Sequence, residues 1–208
     1  GRVYYVPGGG MDLSQYNVLD TVREIKRKEL GLQEKDFALI SMGDLIKRKN
    51  YAIAIEVVSK INNPKVHYFI CGKGPEEVNL RELTKKFGVE KQVHFLGYRS
   101  DIKELLTAAD AFLFTSRQEG LARSLMEAMA SGLPCVVSKI RGNTELIDDN
   151  INGFLCTNVD EYVASITKLI QSPECAELFV QRSLNNLNNF SIEKVEECIV
   201  NIYSQEFK

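Results

Sequence analysis

The stretch SRQEGLARSLMEAMASGLPCVVSKIRGNTELI, residues 116–147, contains two acidic residues eight positions apart. The apolar run Ala111–Thr115 precedes it and predicts a buried strand, so Glu119 falls in the loop that follows this strand. Glu127 falls about two turns into the small-residue helix that is predicted next. Because open α/β sheets bind ligands at the carboxyl ends of their strands, we expect both carboxylates to approach one ligand there.

The two carboxylates indicate a ligand that is rich in hydroxyl groups. An ionised carboxylate only accepts hydrogen bonds, and sugars and riboses offer neighbouring hydroxyl pairs as donors. Gly120 and Leu121 are predicted at the start of the helix, where free backbone N–H groups favour an anion such as phosphate. These features suggest a nucleotide-sugar site. The alternative is that Glu119 caps the helix while Glu127 is solvated, and the residues alone leave both interpretations open.

Strands and helices alternate along the rest of the chain. The predicted strands are Phe37–Met42, Lys65–Cys71, Val93–Gly97, Ala111–Thr115, Pro134–Ser138 and Gly153–Cys156. Besides the helix that carries Glu127, the predicted helices are Val18–Gly31, Tyr51–Ile61, Glu76–Phe87, Ile102–Ala109, Val159–Gln171, Glu174–Asn188 and Ile192–Phe207. This alternation predicts an α/β fold, a Rossmann-like doubly wound parallel sheet flanked by helices. The G-x-G-x-x-G fingerprint of NAD-binding sheets does not occur in the sequence.

Composition excludes several other classes of protein. The 26 basic and 28 acidic residues nearly balance, which argues against a nucleic-acid-binding protein held by net charge. No run of 18 apolar residues predicts a transmembrane helix, and no signal peptide is recognisable. The odd number of scattered cysteines favours buried free thiols in a reducing cytoplasm. With only His67 and His94, both in strand-like runs, we expect structural histidines and no metal site.

The 116–147 stretch resembles the E-x7-E signature of retaining glycosyltransferases of family 4, usually written EG(F/L)…EAMA.G.PV…GG..E(L/I)I. The matching segments are Glu119–Leu121, Glu127–Pro134 and Arg141–Ile147. The resemblance extends from Tyr5 to Tyr203. It is closest to the capsule and exopolysaccharide branch, whose members often carry an I-R-G-N run like that of Ile140–Asn143.

The resemblance implies the second half of a GT-B enzyme. Residues 1–208 would form its nucleotide-sugar-binding C-terminal domain, with the N-terminal acceptor domain absent. A short strand ending at Pro7 and the glycine loop Gly8–Gly10 would then border the interdomain cleft. The intact enzyme would transfer a sugar with retention from a nucleotide diphosphate sugar, with UDP favoured, to a saccharide or lipid-linked acceptor. It would work in the cytoplasm without a metal or cofactor, at the inner face of the membrane if it associates peripherally.

The resemblance also assigns roles to particular residues. Glu119 and Lys49 are the expected catalytic residues, because the family lysine that matches Lys49 contacts the donor phosphate. Glu127 would accept hydrogen bonds from the ribose hydroxyls. The remaining expected substrate-binding residues are Arg48, Gly72, Lys73, Gly74, Tyr98, Arg99, Gly120, Leu121, Ala122, Arg123 and Ser124. For Tyr98 and Arg99 an ordinary turn, with Ser100 or Asp101 capping the next helix, is equally compatible.

One residue departs from the family pattern. Many members carry an arginine directly after the glycine of the G-(R/E)-x5-K motif, whereas this chain has Asp44. Acidic residues occur there in the exopolysaccharide branch, so the departure leaves the resemblance intact. It leaves open which cation meets the second phosphate, and Arg48 and Arg123 are the candidates.

Two functions of other classes stay open at this point. The chain could be a nucleotide-binding module without turnover of its own, because half of the expected active site is absent. It could also be a nucleotide-sugar epimerase of the same architecture. An epimerase needs acid and base groups beside the sugar, and the two histidines are poorly placed for that task.

Overall fold

Six parallel strands form the central sheet of the structure, a computed structural model that describes residues 4, 6, 8, 10–16 and 20–206. In chain order they are β1 (Phe37–Met42), β2 (Val66–Cys71), β3 (Val93–Gly97), β4 (Ala111–Phe114), β5 (Cys135–Ser138) and β6 (Phe154–Cys156). Their spatial order is β3-β2-β1-β4-β5-β6, and every neighbouring pair is parallel. This is the doubly wound order.

Helices connect the strands and cover both faces of the sheet. They are α1 (Asp20–Glu29), α2 (Tyr51–Ile61), α3 (Glu77–Phe87), α4 (Ile102–Ala108), α5 (Arg123–Ala130), α6 (Arg141–Thr144), α7 (Val159–Gln171), α8 (Pro173–Leu187) and α9 (Ile192–Glu206). Short 3-10 turns occur at Leu13–Tyr16, Lys47–Lys49 and Asn188–Phe190. None of these described helices is long and apolar enough to cross a membrane.

The central strands bury the side chains of both faces. In β1, Ile40 packs in a cluster with α4 and α5, whereas Leu39 packs in a second cluster with α2, α3 and α7. Phe112 and Leu113 of β4 divide in the same way. Because helices cover both faces, these strands are apolar at nearly every position rather than at alternate positions. The exception is Ser41 of β1, which is buried and donates from its Oγ to the Leu113 carbonyl. The predicted α/β fold is confirmed, and the bounds predicted for β1, β3, α2 and α7 match those observed.

The segment before α1 packs against the rest of the structure through both backbone and side-chain contacts. The Met11 N–H donates to the Phe190 carbonyl over 2.9 Å, and the Met11 carbonyl accepts from the Ile192 N–H over 3.2 Å. A Cβ atom placed on Gly8 would lie 2.6 Å from Cδ2 of Leu121. The predicted strand that ends at Pro7 lies largely outside the described residues.

The cysteines are free thiols, as the sequence predicts, and Cys71, Cys135 and Cys156 are buried. Burial raises the pKa of the Cys71 thiol to about 12, so this group stays protonated and unreactive near neutral pH.

The two histidines contact each other on neighbouring strands at the β3 edge of the sheet. Nδ1 of His67 lies 3.1 Å from Nε2 of His94, and Phe69 stacks on His94 with ring centres 4.7 Å apart. On its other side, Nε2 of His67 lies 3.6 Å from Oδ2 of Asp36. Burial, together with the neighbouring His67, lowers the pKa of His94 to about 4.

We expect His94 to make the protein acid-sensitive between about pH 6.5, its unfolded pKa, and its folded pKa of about 4. In that window the unfolded chain binds a proton that the folded chain excludes, so the free energy of unfolding falls as the pH falls. A His94→Gln variant should lose about 1–2 kcal/mol less than the wild type between pH 7 and pH 4, after allowance for solvent screening. Urea unfolding across this range measures the difference, and parallel curves would contradict the expectation.

Candidate functional site

A cleft opens where the strand order reverses, at the carboxyl ends of β1 and β4. The connection after β1 runs to one side of this pair and the connection after β4 to the other, so the two loops separate. The resulting space measures about 650 Å³. Its walls are formed by Met42, Gly43, Asp44, Lys49, Cys71, Gly72, Lys73, Tyr98, Arg99, Ile102, Glu119, Leu121, Ala122, Arg123, Ser124 and Glu127.

Glycines lie at the carboxyl ends of three neighbouring strands, and two of them, Gly43 and Gly72, form the floor of this cleft. Gly43, Gly72 and Gly97 follow or end β1, β2 and β3, and all three have positive φ values, of 139°, 151° and 66°. The Gly72 N–H donates to the Gly97 carbonyl over 2.7 Å, and the Gly43 N–H donates to the Cys71 carbonyl over 2.9 Å. A Cβ atom on Gly72 would overlap the Gly43 carbonyl oxygen. The absence of side chains here lets a ligand approach the backbone.

Glu119 forms ion pairs with two basic residues of the loop after β1. Its carboxylate lies 2.9 Å from Nζ of Lys49 and 3.1 Å from Nη1 of Arg48. The carboxylate and the Lys49 amine are almost buried, with 10% and 13% of each side chain exposed, whereas Arg48 is 44% exposed. Burial acts to raise the pKa of Glu119, but the hydrogen bond and charge of Lys49 and the charge of Arg48 outweigh it and lower the pKa. Glu119 is therefore ionised at neutral pH.

Hydrogen bonds to backbone carbonyls connect the loop after β1 with the loop after β4. The Arg117 N–H donates to the Arg48 carbonyl over 2.9 Å, and Oγ1 of Thr115 donates to the Asn50 carbonyl over 3.0 Å. Asn50 adopts a left-handed conformation with φ of 54°, which ends the 3-10 turn and lets α2 begin at Tyr51. The loop with Lys49 and the loop with Glu119 are therefore fixed relative to each other.

Glu127 lies one helical turn into α5, not two turns as the sequence predicted. The helix begins at Arg123, after its N-cap residue Ala122, so Gly120 and Leu121 precede the helix instead of starting it. This correction moves the free N–H groups of the first turn to Arg123 and its successors.

Glu127 has two polar neighbours. Nε of Arg123 donates to Oε1 of Glu127 over 3.2 Å, and the Glu127 side chain is 22% exposed. Burial, together with the neighbouring Glu127 carboxylate, raises the pKa of the Tyr16 hydroxyl, which hydrogen-bonds to Glu127. Glu127 is thus a half-buried member of the cleft wall rather than a solvated helix residue.

Tyr98 and Arg99 line the cleft at the end of β3. Arg99 donates to Asp101 over 2.5 Å and to Glu29 over 2.7 Å, and these hydrogen bonds to the two carboxylates raise the pKa of Arg99. Because the Asp101 side chain pairs with Arg99 and Lys26, it makes no capping hydrogen bond at α4, contrary to the capping alternative. Tyr98 is 77% exposed and leaves its ring available to a ligand.

Three predicted site residues do not line the cleft. Arg48 points to Glu119 and also donates to the Gln118 carbonyl over 2.6 Å. Gly74 packs against the backbone of Leu45, where a Cβ atom would lie 2.7 Å from the Leu45 nitrogen. Gly120 faces Gly142 across the neighbouring loop.

The cations of the cleft differ in their partners. Lys49, Arg99 and Arg123 are each paired with a carboxylate, whereas Lys73 forms no ion pair within the described part of the chain. Lys73 is therefore the cleft cation that is free to meet an anion. The sequence pointed to Arg48 and Arg123 for the second phosphate, because a motif does not reveal which cations are already neutralised.

The cleft also contains residues that the sequence did not single out, namely Met42, Gly43, Cys71, Ile102 and the neighbouring Tyr16. Gly43 had a signal, since a glycine directly after a buried strand allows close approach of a ligand. Tyr16 had none, because it lies far from the site in sequence. The structure contains no group of three or more His, Cys, Asp or Glu side chains arranged to hold a metal ion among its described residues.

A doubly wound parallel sheet with a cleft at its switch point defines the class of Rossmann-like α/β domains. The family can be specified more narrowly than this class. The model of the glycosyl transferases group 1 matches residues 22–185, and the chain belongs to this family.

Curated relatives and solved structures agree with this family. The chain is 29% identical to EpsD of Bacillus subtilis over 98% of its length. It is also 29% identical to the Escherichia coli UDP-Gal:alpha-D-GlcNAc-diphosphoundecaprenol alpha-1,3-galactosyltransferase, over 97% of its length. It spans about half of each relative, 55% and 54%.

The crystal structure of Anabaena Alr3699/HepE in complex with UDP superposes with a TM-score of 0.89 at 25% identity. The match covers 94% of this chain and 56% of the other. The same Anabaena protein has also been solved in complex with UDP-glucose. These neighbours are GT-B glycosyltransferases, so the predicted fold of one half of such an enzyme is confirmed.

Proposed function

We propose that this chain is the donor-binding domain of a retaining family 4 glycosyltransferase that uses a UDP-sugar. The observation that carries the proposal is the meeting of Glu119, Lys49 and Glu127 in one cleft at the switch point of the sheet. The Anabaena protein whose structure resembles this chain binds UDP and UDP-glucose, which supports the choice of nucleotide.

Each group in the cleft suits one part of such a donor. The half-buried Glu127 carboxylate would accept hydrogen bonds from the two ribose hydroxyls. The exposed ring of Tyr98 and the backbone beside it would border the base. Glu119, with the backbone that follows it, would hold the hydroxyls of the sugar. In this proposal the base, ribose and sugar lie along the cleft wall.

The diphosphate would lie over the glycine floor, near Lys49 and Lys73. Catalysis of sugar transfer needs stabilisation of the charge that develops on the leaving diphosphate. Lys49 and Lys73, with the first N–H groups of α5, can supply this stabilisation. We therefore propose a reaction that uses neither a metal ion nor a resident cofactor.

The acceptor would be a saccharide or a lipid-linked saccharide in polysaccharide biosynthesis. In a retaining transfer the acceptor approaches the sugar on the face that the diphosphate leaves, so the acceptor-binding half of the enzyme would have to close over this cleft. The Escherichia coli relative, whose name specifies a diphosphoundecaprenol-linked acceptor, supports a lipid-linked substrate. Such a substrate would bring the whole enzyme to the inner face of the membrane by peripheral association.

A nucleotide-binding module without turnover is the second candidate for the chain by itself. It is favoured by the length, because the chain spans about half of its curated relatives. The two histidines cannot serve as the acid and base of an epimerase in this cleft, because they contact each other and neither lines the cleft.

Calorimetric titration with UDP, GDP and ADP tests the donor assignment. We expect UDP to bind at least about tenfold more tightly than the purine nucleotides, a difference of about 1.4 kcal/mol. Transfer by the full-length enzyme, followed by NMR of the product anomer, tests retention. Equal affinity for all three nucleotides would contradict the UDP assignment, and an inverted anomer would contradict the mechanism.

Replacing Lys49 with methionine should weaken UDP binding about tenfold or more, because a charge-assisted contact contributes about 1.5–3 kcal/mol. Uridine lacks phosphate, so its affinity should change less than about twofold. Lys47→Met is the matched control, since Lys47 is an exposed lysine of the same 3-10 turn outside the cleft. Equal losses for UDP and uridine would show that Lys49 acts on the structure of the site instead of the diphosphate.

A further inference from the structure

The loop that carries Glu119 is held from both sides. On the β1 side, Arg48 donates to the Gln118 carbonyl over 2.6 Å and accepts from the Arg117 N–H over 2.9 Å. On the β5 side, the contacts come from residues 138–143, which follow or end β5. This second side contains no residue of the cleft wall.

A hydrogen-bond relay runs from Asn143 to the loop. Asn143 is completely buried, and its Nδ2 donates to the Ser138 carbonyl over 2.8 Å and to Oγ of Ser138 over 3.1 Å. Oγ of Ser138 in turn donates to the Ser116 carbonyl over 2.6 Å. The relay therefore ends three residues before Glu119.

The residue next to Asn143 contacts the loop directly. A Cβ atom on Gly142 would overlap the Gly120 carbonyl oxygen and would lie 2.7 Å from the Glu119 carbonyl oxygen. Residues 142–143 therefore touch the Glu119 loop at Gly120 and are linked to it at Ser116 through the hydroxyl of Ser138. A shift of Asn143 moves both attachments together.

We infer that Asn143 is a positioning residue, which acts through Ser138 and Gly142 to hold Glu119 opposite Lys49. The amide of Asn143 is used on one side only, since its buried Oδ1 has no hydrogen-bond partner among the described residues. The contribution of the Asn143 side chain is therefore the pair of hydrogen bonds that it donates to Ser138.

The consequence for the donor rests on the function proposed above. If Glu119 binds the sugar and Glu127 binds the ribose, loss of the Asn143 side chain weakens binding of the sugar and leaves binding of the nucleotide unchanged. The consequence for the ion pair does not rest on that function. It concerns only the distance between Glu119 and Lys49, and it can be measured without a ligand.

The test without ligand compares wild type, Asn143→Ala, Ser138→Ala and Asn152→Ala. Asn152 is the matched control because it is also a buried asparagine, but it donates to Leu146 and accepts from Asp148 in another loop. NMR titration of the ¹³C-labelled glutamate carboxyls reports the pKa of Glu119, with Lys49 and Arg48 as its charged neighbours. We expect the depressed pKa to rise toward its usual value in the Asn143 and Ser138 variants only.

The test with ligand measures the dissociation constants of UDP and UDP-glucose for the same four proteins. We expect the Asn143 and Ser138 variants to bind UDP-glucose about tenfold more weakly and UDP within about twofold of wild type. Asn152→Ala should change neither. In a Glu119→Ala background the Asn143 substitution should have no further effect on either ligand.

An unchanged pKa of Glu119 in the Asn143 variant would overturn the inference, as would an equal shift in the Asn152 control. If Asn143→Ala does not fold, Ser138→Ala decides the question, because it removes one hydroxyl of the same relay. If wild type binds neither UDP nor UDP-glucose, the proposed function fails, and the NMR titration still decides the role of Asn143.

Discussion

UDP is expected to bind the Glu127→Ala variant at least about thirtyfold more weakly than the wild type. Two charge-assisted hydrogen bonds to the ribose would be lost, which costs at least about 2 kcal/mol. No neighbour replaces the lost carboxylate, because Arg123 can only donate hydrogen bonds and the Tyr16 hydroxyl carries no negative charge. Calorimetric titration of both proteins with UDP measures the change.

A ligand without ribose hydroxyls gives the decisive control. For 2′,3′-dideoxy-UDP the wild type and the variant should bind within about twofold of each other, since the missing hydroxyls cannot use the carboxylate. Glu77→Ala is the matched protein control. Like Glu127, Glu77 forms an ion pair with an arginine four residues away in the same helix, but it lies on α3 outside the cleft. An undiminished loss with the dideoxy ligand would refute the ribose assignment.

The second large effect is expected from Gly72→Ala, which should destabilise the fold by roughly 3 kcal/mol or more. A Cβ atom there would overlap the Gly43 carbonyl oxygen and lie 2.9 Å from the Gly43 carbon, and both atoms belong to backbone that cannot rotate away. The φ value of 151° adds strain for any residue with a side chain. For a chain of this length the melting temperature should fall by about 6–12 °C.

Gly88→Ala separates the two causes of this loss. Gly88 also has a positive φ, of 69°, but nothing lies within 4 Å of the position where its Cβ would stand. It should show the cost of the left-handed conformation alone, about 1–2 kcal/mol. If Gly72→Ala melted at the same temperature as Gly88→Ala, the close approach of β1 and β2 at the cleft floor would not be the constraint described above. Differential scanning calorimetry resolves the difference.

Some residues of the site could be predicted from the sequence, whereas the partners of others could not. Glu119 and Glu127 could be predicted because they are close in the chain and are separated by one predictable strand-to-helix turn. The distance of α5 from that turn could not be predicted to the residue, since Gly120 and Leu121 are compatible with either side of a helix start. The helix begins at Arg123, where the backbone of Ala122 accepts the first turn's hydrogen bonds.

The pairing of charges was the part that the sequence described least well. Lys49 and Glu119 form an ion pair although they lie 70 positions apart in the sequence. Asp101 pairs with Arg99 and Lys26 instead of capping α4 with its side chain. A charged side chain pairs with whichever partner the packed backbone brings within reach, and many partners suit it equally well in a sequence. For the same reason, only the structure revealed that Lys73 forms no ion pair with any of the described residues.

By itself, the sequence determined the fold class, the bounds of the predicted strands and helices to within a few residues, and the stretch that carries the two glutamates, but it did not predict the short helix α6. These follow from local periodicity, because strands buried on both faces need continuous apolar runs and helices need one apolar face. The tertiary structure alone decided the glycine floor, the Lys49–Glu119 ion pair and the relay from Asn143 to the Glu119 loop. Each of these depends on contacts between separate crossovers, whose spacing is set by packing of the sheet and helices and is not encoded in any local pattern.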